Sequence, residues 1–470
     1  MPHKSGVVAC AVSPHPPVVL PEVGGDDAKV VSSTHSALTI LSERILQLKP
    51  DTIVVVGPHG PIFREAITAT GDEFVRGDLR RFGARSASVS FRNDLELLRQ
   101  IERHSLEQQG VELVALDESG RRRLGAPREL DHGAVVPLRF VYGAGYRGMV
   151  ANLCMGMLDF PDLYAFGVAI RTAAESLDRR VVVLATADLS HRLTPGAPAG
   201  YHRDASKFDA QVLSALESCD PMPLLNMDKN LIENAGECGL RPIIMVMGAL
   251  DGKQARSEVL SYEAPFGVGY CVCYIEPGEA DRDRCLLPRL RAAGVERECS
   301  EQSDIVRLAR KSLEQYVRSG TRIEPPGDDS WMSKTANACF VSLQKHGRLR
   351  GCIGSIEPQN STLAEEVIEN AIAAGTEDPR FMPVTPEELG DLVYSVDVLE
   401  PAERVASVSD LDPEVYGVIV EKGKRRGLLL PDLPGITSAD EQVRIAREKA
   451  GIREAETGVN LYRFRVERYH

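Results

Sequence analysis

Residues 181–191 read VVVLATADLSH, and the unit they complete decides the fold. Val181 to Leu184 run without polar alternation, so both faces of this segment are apolar. LYAFGVAIRTAAESL (163–177) precedes it with helix-like patterning. A strand apolar on both faces and fed by a helix belongs in a sheet covered on both sides. The pattern recurs along the chain. GVVACAV (6–12) is followed by AKVVSSTHSALTILSERILQLK (28–49), whose apolar residues return at helical spacing. TIVVVGPHG (52–60) and GMVANLCM (148–155) are further continuous runs. We expect an α/β domain with a mostly parallel central sheet over residues 1–277.

The remainder of the 470 residues changes character, and a chain of this length holds about two to three domains. Residues 278–302 are dense in charge and read as a linker, partly helical. From 303 to 470, helices and strands mix in the manner of an α+β domain. SDIVRLARKSLEQYVRSG places Ser303 as N-cap and Gly320 as the closing residue of a helix. TLAEEVIENAIAAG carries Thr362 and Glu365 at capping-box spacing and ends at Gly375. Strand-like runs lie between and after these helices, at 338–354, 392–405, 417–431 and 459–469.

With 43% hydrophobic and 26% charged residues the composition is that of an ordinary globular protein. A net charge of −13 argues against a nucleic-acid or anionic-membrane surface. KGKRR (422–426) reads as a solvated hairpin. No apolar run is long enough to span a bilayer, and the N-terminus lacks a signal-peptide pattern. The ten cysteines show no CxxC pairs, which suits reduced thiols in a cytoplasmic protein. Cys271 and Cys273, the close pair, alternate within a strand and face one side.

The chemistry gathers at strand ends. One strand leads into SPHPP with His15, a second into GPHG with His59, and a third into ADLSH with Asp188 and His191. Prolines on both sides of His15 make its exit rigid. In open α/β sheets the ligand crevice lies beyond the carboxyl ends of the strands. ELDHGAVVPLRFV (129–141) adds His132 before an apolar run, and NAGECGLRPIIMVMGAL (234–250) adds Glu237 and Cys238 at the mouth of a helix. Taken singly, these residues also read as a turn histidine, a helix-start histidine and a helix-capping glutamate. Two His and one carboxylate with open positions describe a site for non-haem Fe(II), which binds substrate and O2 side by side. On that division His15, His59 and Glu237 hold the metal, while His191 and His132 serve proton transfer or hydrogen bonding.

SPHPP, VVGPHG, LDHGAVVPL and DLSH, in that order, resemble the class III extradiol ring-cleavage dioxygenases, the family of the protocatechuate 4,5-dioxygenase β subunit; the Memo proteins share that fold. The resemblance covers residues 5–277. It implies that His15 and His59 are metal ligands, that His191 is the base that deprotonates a catechol hydroxyl, and that His132 lies near the substrate. The third ligand is Glu237 on the dioxygenase pattern and Cys238 on the Memo-like one, with Glu237 preferred. Asp188 is placed to orient His191 or to contact substrate. RLRGCIGSIEP (348–358), EDPRFMPVTPEEL (377–389) and YSVDVLEP (394–401) resemble the AMMECR domain. The two together resemble the AmmeMemoRadiSam system protein A family, an architecture encoded beside Memo-like and radical-SAM proteins.

In the second domain, LRGCIG sets Arg350 and Cys352 on a glycine-flanked strand end where a ligand can approach the backbone. Cys352 is a reactive thiol if Arg350 lowers its pKa, and otherwise a buried cysteine in a β turn. Arg380 in DPRF is placed to pair with a carboxylate in the same cleft, and His346, on a strand, is assigned no role. YGAGYRG (142–148) satisfies G-x-G-x-x-G but leads into a strand rather than a helix, so it reads as a loop.

The expected function is therefore that of an Fe(II)-dependent oxidoreductase acting with O2 on a small aromatic substrate, with zinc or another divalent metal as the alternative ion. The other reading is a Memo-like metal- or ligand-binding accessory of a radical-SAM partner. A third is a scaffold whose AMMECR domain does the binding. The relatives of the first domain imply a homo-oligomer.

Overall fold

The computed structural model describes residues 5–327, 330–433, 436–453 and 455–470, without the side chains of 297–301. Its first unit, Met1–Leu290, is built on ten strands: β1 (Gly6–Ser13), β2 (Thr52–Gly57), β3 (Ala66–Thr70), β4 (Phe74–Leu79), β5 (Ala84–Arg92), β6 (Glu112–Leu116), β7 (Met149–Cys154), β8 (Arg180–Thr186), β9 (Lys253–Glu263) and β10 (Tyr270–Ala280). Eight of them form one sheet in the order β6-β3-β7-β2-β8-β1-β10-β9, while β4 and β5 pair separately as a hairpin. The expected parallel strands sit at the centre, where β7, β2, β8 and β1 run alongside one another. The sheet as a whole is mixed, because β3 joins β7, β10 joins β1 and β9 joins β10 antiparallel.

The unbroken apolar runs are explained by burial on both faces. Cys10, Val12, Val54, Val56, Val181 and Val183 enter one core with the helices Phe160–Ser176 and Leu240–Gly248. Their neighbours Ala9, Ala11, Ile53, Val55, Val182 and Leu184 enter the other with the helices Ser32–Gln47 and His132–Ala144. Cys271 and Cys273 share the first core and Val272 lies in the second, as strand alternation requires. YGAGYRG closes the helix His132–Ala144 through Gly145 and opens no other.

The second unit, Arg291–His470, holds β11 (Cys339–Lys345), β12 (Arg348–Gly354), β13 (Leu392–Leu399), β14 (Glu403–Val405), β15 (Gly417–Lys422), β16 (Arg425–Leu429), β17 (Asn460–Phe464) and β18 (Val466–Tyr469). They make two antiparallel sheets, β12-β11-β13-β18 and β14-β17-β15-β16. Within residues 278–302, read as a partly helical linker, Leu287–Glu301 form a helix. The helix Asp304–Ser319 begins at Ser303 and closes at Gly320. The capping box of Thr362 and Glu365 forms in both directions at the start of Leu363–Thr376.

Two local readings change. Gly375 does not end its helix; a Cβ there would lie 2.4 Å from Leu313, so the glycine lets two helices close on each other. His346 lies in the β11–β12 turn with φ 52°, not on a strand. KGKRR turns β15 into β16, with Arg425 held by Glu456.

Candidate functional site

Strand register brings the candidate residues together. Ser13 of β1 is level with Thr186 of β8, and Val56 of β2 is level with Ala185 of β8. Three strands therefore end at one height. His15, His59 and Asp188 each follow by two residues the last residue of its strand: Ser13, Gly57 and Thr186. The backbone N–H of His15 donates to Asp188 Oδ1 at 2.8 Å, tying the β1 exit to the β8 exit. Asp188 thus positions His15 directly, a role the sequence did not suggest.

His15, 2% exposed, points Nε2 at His59 Nε2, 3.2 Å away. Cys238 Sγ lies 3.8 Å from His15 Nε2 and 3.7 Å from His191 Nε2. One nitrogen from His15, one from His59 and the sulfur of Cys238 all fall within 4.8 Å of one another. Glu237, the preferred third ligand on the sequence pattern, is not in this group. Its Oε2 accepts the Leu240 N–H at 2.6 Å, so the carboxylate caps the helix Leu240–Gly248. Two imidazole nitrogens and a thiol sharing one small space suit a divalent transition ion, since both donor types bind such ions through lone pairs.

Burial dominates the electrostatics. It pushes His15 well below the usual imidazole range, helped by His59 and His191. His132 falls to about 4 for the same reason, with His15 and His59 adding to it. His191 is lowered by burial and partly restored by Asp188. Burial raises Asp188 to about 6, against the His15 N–H bond that favours its charge. The Cys238 thiol is also pushed up by burial and by Asp188 and Glu237, so its thiolate needs a cation beside it.

One supporting residue was missed. Asp209, on the helix Ala205–Ser218 and 1% exposed, accepts the Ser190 N–H at 2.8 Å and the Tyr262 hydroxyl at 2.6 Å. The Ser190 hydroxyl and the His191 N–H both donate to Ala235 O. Asp209 thereby anchors the segment carrying Asp188 and His191 beside the turn that leads to Cys238. The sequence signal was an acid on the buried face of FDAQVLSAL, between Phe208 and Val212.

From His59 and His132 a cavity of about 880 Å³ extends between the loop Gly60–Phe63, the β4–β5 turn and residues 124–131. Phe82, 44% exposed in that turn, lies 5.3 Å from the His132 ring, and His132 lies 4.8 Å from His59. Asp131 caps the helix that starts at His132 by accepting the Gly133 N–H.

In the second unit, Arg350 does not serve Cys352. It forms a two-pronged pair with Glu388 at 3.1 and 2.9 Å, which Lys345 joins at 3.0 Å. The Cys352 thiol is pushed up by burial, and its Sγ accepts from the Ser342 hydroxyl at 3.2 Å. Arg380 does pair with a carboxylate: its Nη2 meets Asp378 Oδ2 at 2.7 Å, and the same Oδ2 accepts the Cys352 N–H at 2.9 Å. The glycines around Cys352 answer to packing. A Cβ on Gly351 would lie 2.1 Å from Ala374 O, and one on Gly354 would lie 2.4 Å from the Phe340 ring. They seat β12 on its neighbours rather than opening it to a ligand.

Among the described residues, no helix is long and apolar enough to cross a membrane. Residues 9–273 match the family described as the catalytic LigB subunit of aromatic ring-opening dioxygenase, and residues 306–469 match AMMECR1. The chain is 37% identical over 459 residues to a protein of Clostridium acetobutylicum, covering 97% of each. A Thermotoga maritima protein is 53% identical over 168 residues, which are 35% of this chain and 95% of that one. The crystal structure of a Pyrococcus horikoshii protein described as uncharacterized shares 35% identity, covers 35% of this chain and 88% of its own, and has a TM-score of 0.33. The strand-end histidines thus sit in a recognised frame: the chain belongs to the family of the catalytic LigB subunit of aromatic ring-opening dioxygenases, and carries an AMMECR1 domain after it.

Proposed function

We propose that the first unit is a metal-dependent oxidoreductase of the ring-opening type, with His15, His59 and Cys238 holding a divalent ion, Fe(II) first among the candidates. The convergence of two Nε2 atoms and one Sγ at the carboxyl ends of the central strands carries the reading. When bound, the ion would supply an electron-rich centre where O2 and a phenolic substrate meet. His191, beside Cys238, takes the proton of the substrate hydroxyl at its imidazole nitrogen. Asp188 fixes His15 through its backbone, and Asp209 fixes the segment that carries His191. His132 and Phe82 line the cavity on the side where the substrate ring would lie.

The direct assay is anaerobic loading with Fe(II), then oxygen and a panel of catechols. Oxygen uptake with ring-opened product is expected, at a rate sharply reduced in His191→Ala.

A second reading is supported by Cys238 itself, because a thiolate shifts preference toward softer ions and different redox behaviour than a carboxylate. On that reading the unit binds metal or ligand in support of a radical-SAM partner without ring cleavage. Metal retention with no oxygen uptake on any phenol would favour it. Unchanged metal content in a His15→Ala, His59→Ala double variant would sink both.

A further inference from the structure

We infer that the pocket beside the histidine cluster takes an elongated aromatic anion, larger than a one-ring phenol, with its ring end against His59, His132 and Phe82 and its acidic group on Arg81. This inference rests on the reading of that cluster as the reacting centre.

Size is the first argument. A cavity of about 880 Å³ lies toward the top of the roughly 300–1,000 Å³ that encloses drug-sized ligands. A single substituted benzene ring would leave most of it to water.

The wall is the second. The rings of His59, His132 and Phe82 follow one another at 4.8 and 5.3 Å, tilted by 31° and 56°, so aromatic edges and faces continue from the cluster to the β4–β5 turn. Phe82 comes from the β4–β5 hairpin, which stands outside the main sheet. A ligand that uses the whole wall presents more than one ring's length of π face.

Charge selects the tail. Four arginines line the cavity, and three of them are ion-paired within the protein. Arg80 pairs with Asp78 and Glu129, Arg121 with Asp72, and Arg128 with Glu118. Arg81 has no ion pair with any described residue, and it adjoins Phe82 in the chain. A lone guanidinium at the rim next to an aromatic wall recognises a carboxylate, sulfonate or phosphate attached to a ring system.

Equilibrium dialysis of the full chain, with and without Fe(II) under anaerobic conditions, tests this with three probes: a dihydroxynaphthalene sulfonate, the uncharged dihydroxynaphthalene and catechol. The sulfonate should bind tightest, and about tenfold or more tighter than catechol. Arg81→Gln should weaken the sulfonate about tenfold while leaving the uncharged naphthalene within about twofold. Phe82→Ala should weaken both naphthalenes alike. Both side chains are exposed, and an unchanged melting temperature confirms that each variant folds. Equal binding of catechol and sulfonate, or an Arg81→Gln protein that keeps full affinity for the sulfonate, overturns the inference. Metal content measured on the same samples separates the two claims. Metal retained without a sulfonate preference defeats the pocket assignment alone, and a sulfonate preference without retained metal defeats the metal reading alone.

Discussion

Glu237 and Cys238 are adjacent in sequence, yet Glu237 lies on a helix N–H and Cys238 beside His15, so on the proposed metal site paired substitutions should split stability from metal binding. Glu237 Oε2 accepts the Leu240 N–H at 2.6 Å, at a helix start with no other side-chain cap. Losing a capping side chain costs about 0.5–2 kcal/mol, and a hydrogen bond to a charged acceptor sits toward the upper half of that range. Burial raises the Glu237 pKa, which offsets part of the gain because the carboxylate is not ideally solvated there. A net loss of about 1 kcal/mol follows for Glu237→Ala, which lowers the melting temperature by a few degrees in a domain of this size. Glu237→Gln keeps an acceptor oxygen and should recover most of the loss. Cys238 makes only long sulfur contacts of 3.7 to 3.8 Å, so Cys238→Ala should change stability by less than about 1 kcal/mol. Removing partners behind a metal ligand already costs about 10–100-fold in affinity, so losing the ligand itself should reach or pass the top of that range. Differential scanning calorimetry on metal-free protein and metal titration on the same preparations give both numbers. A Glu237→Ala protein that loses metal at unchanged stability, beside a Cys238→Ala protein that keeps it, would refute the assignment.

Asp209→Ala should weaken metal binding as well as stability, because it frees the Ser190 N–H in the segment whose Asp188 fixes His15; Asp209→Asn, which can still accept that bond, should restore the metal affinity. Equal metal affinity in both variants would limit Asp209 to the core. Gly375→Ala should destabilise the second unit by about 1–3 kcal/mol despite alanine's better helix propensity, since its Cβ would press into the buried Leu313 side chain; a denaturant midpoint at or above that of the parent contradicts this. Glu388 is held down to about 2, chiefly by its bonds to Arg350. Because the folded value lies below the ordinary 4.5, the stabilisation is present above pH 4.5 and is lost as pH falls toward 2. Trp331, the chain's one tryptophan, lies in the same unit and reports its unfolding by fluorescence. Glu388→Gln should lose stability less steeply between those pH values, and an unaltered slope would count against the pair.

The strand-end chemistry was legible because parallel pairing places successive carboxyl ends at one level. SPHPP, GPHG and ADLSH each close a continuous apolar run, and register puts their polar residues two positions past each strand. Which of Glu237 and Cys238 stands beside His15 and His59 was not legible. Adjacent residues in a turn point different ways, and a carboxylate with a free helix N–H in reach accepts it. The mostly parallel sheet was legible in the continuous apolar runs, while the antiparallel joins of β3, β10 and β9 carry no mark of direction in their residues. LRGCIG left a ligand approach and close packing both open, and the packing partners of its glycines, Ala374 and Phe340, could not be read from the motif itself. Phe82 and Arg81 gave little signal, since an exposed turn in the sequence does not announce that it overhangs a cavity.

X-ray absorption at the metal edge of the Fe(II)-loaded full chain tests the central claim most directly. The account predicts a first shell containing one sulfur together with imidazole nitrogens, with the sulfur removed by Cys238→Ala and retained in Glu237→Ala. A shell of nitrogen and oxygen alone in the parent protein would contradict it.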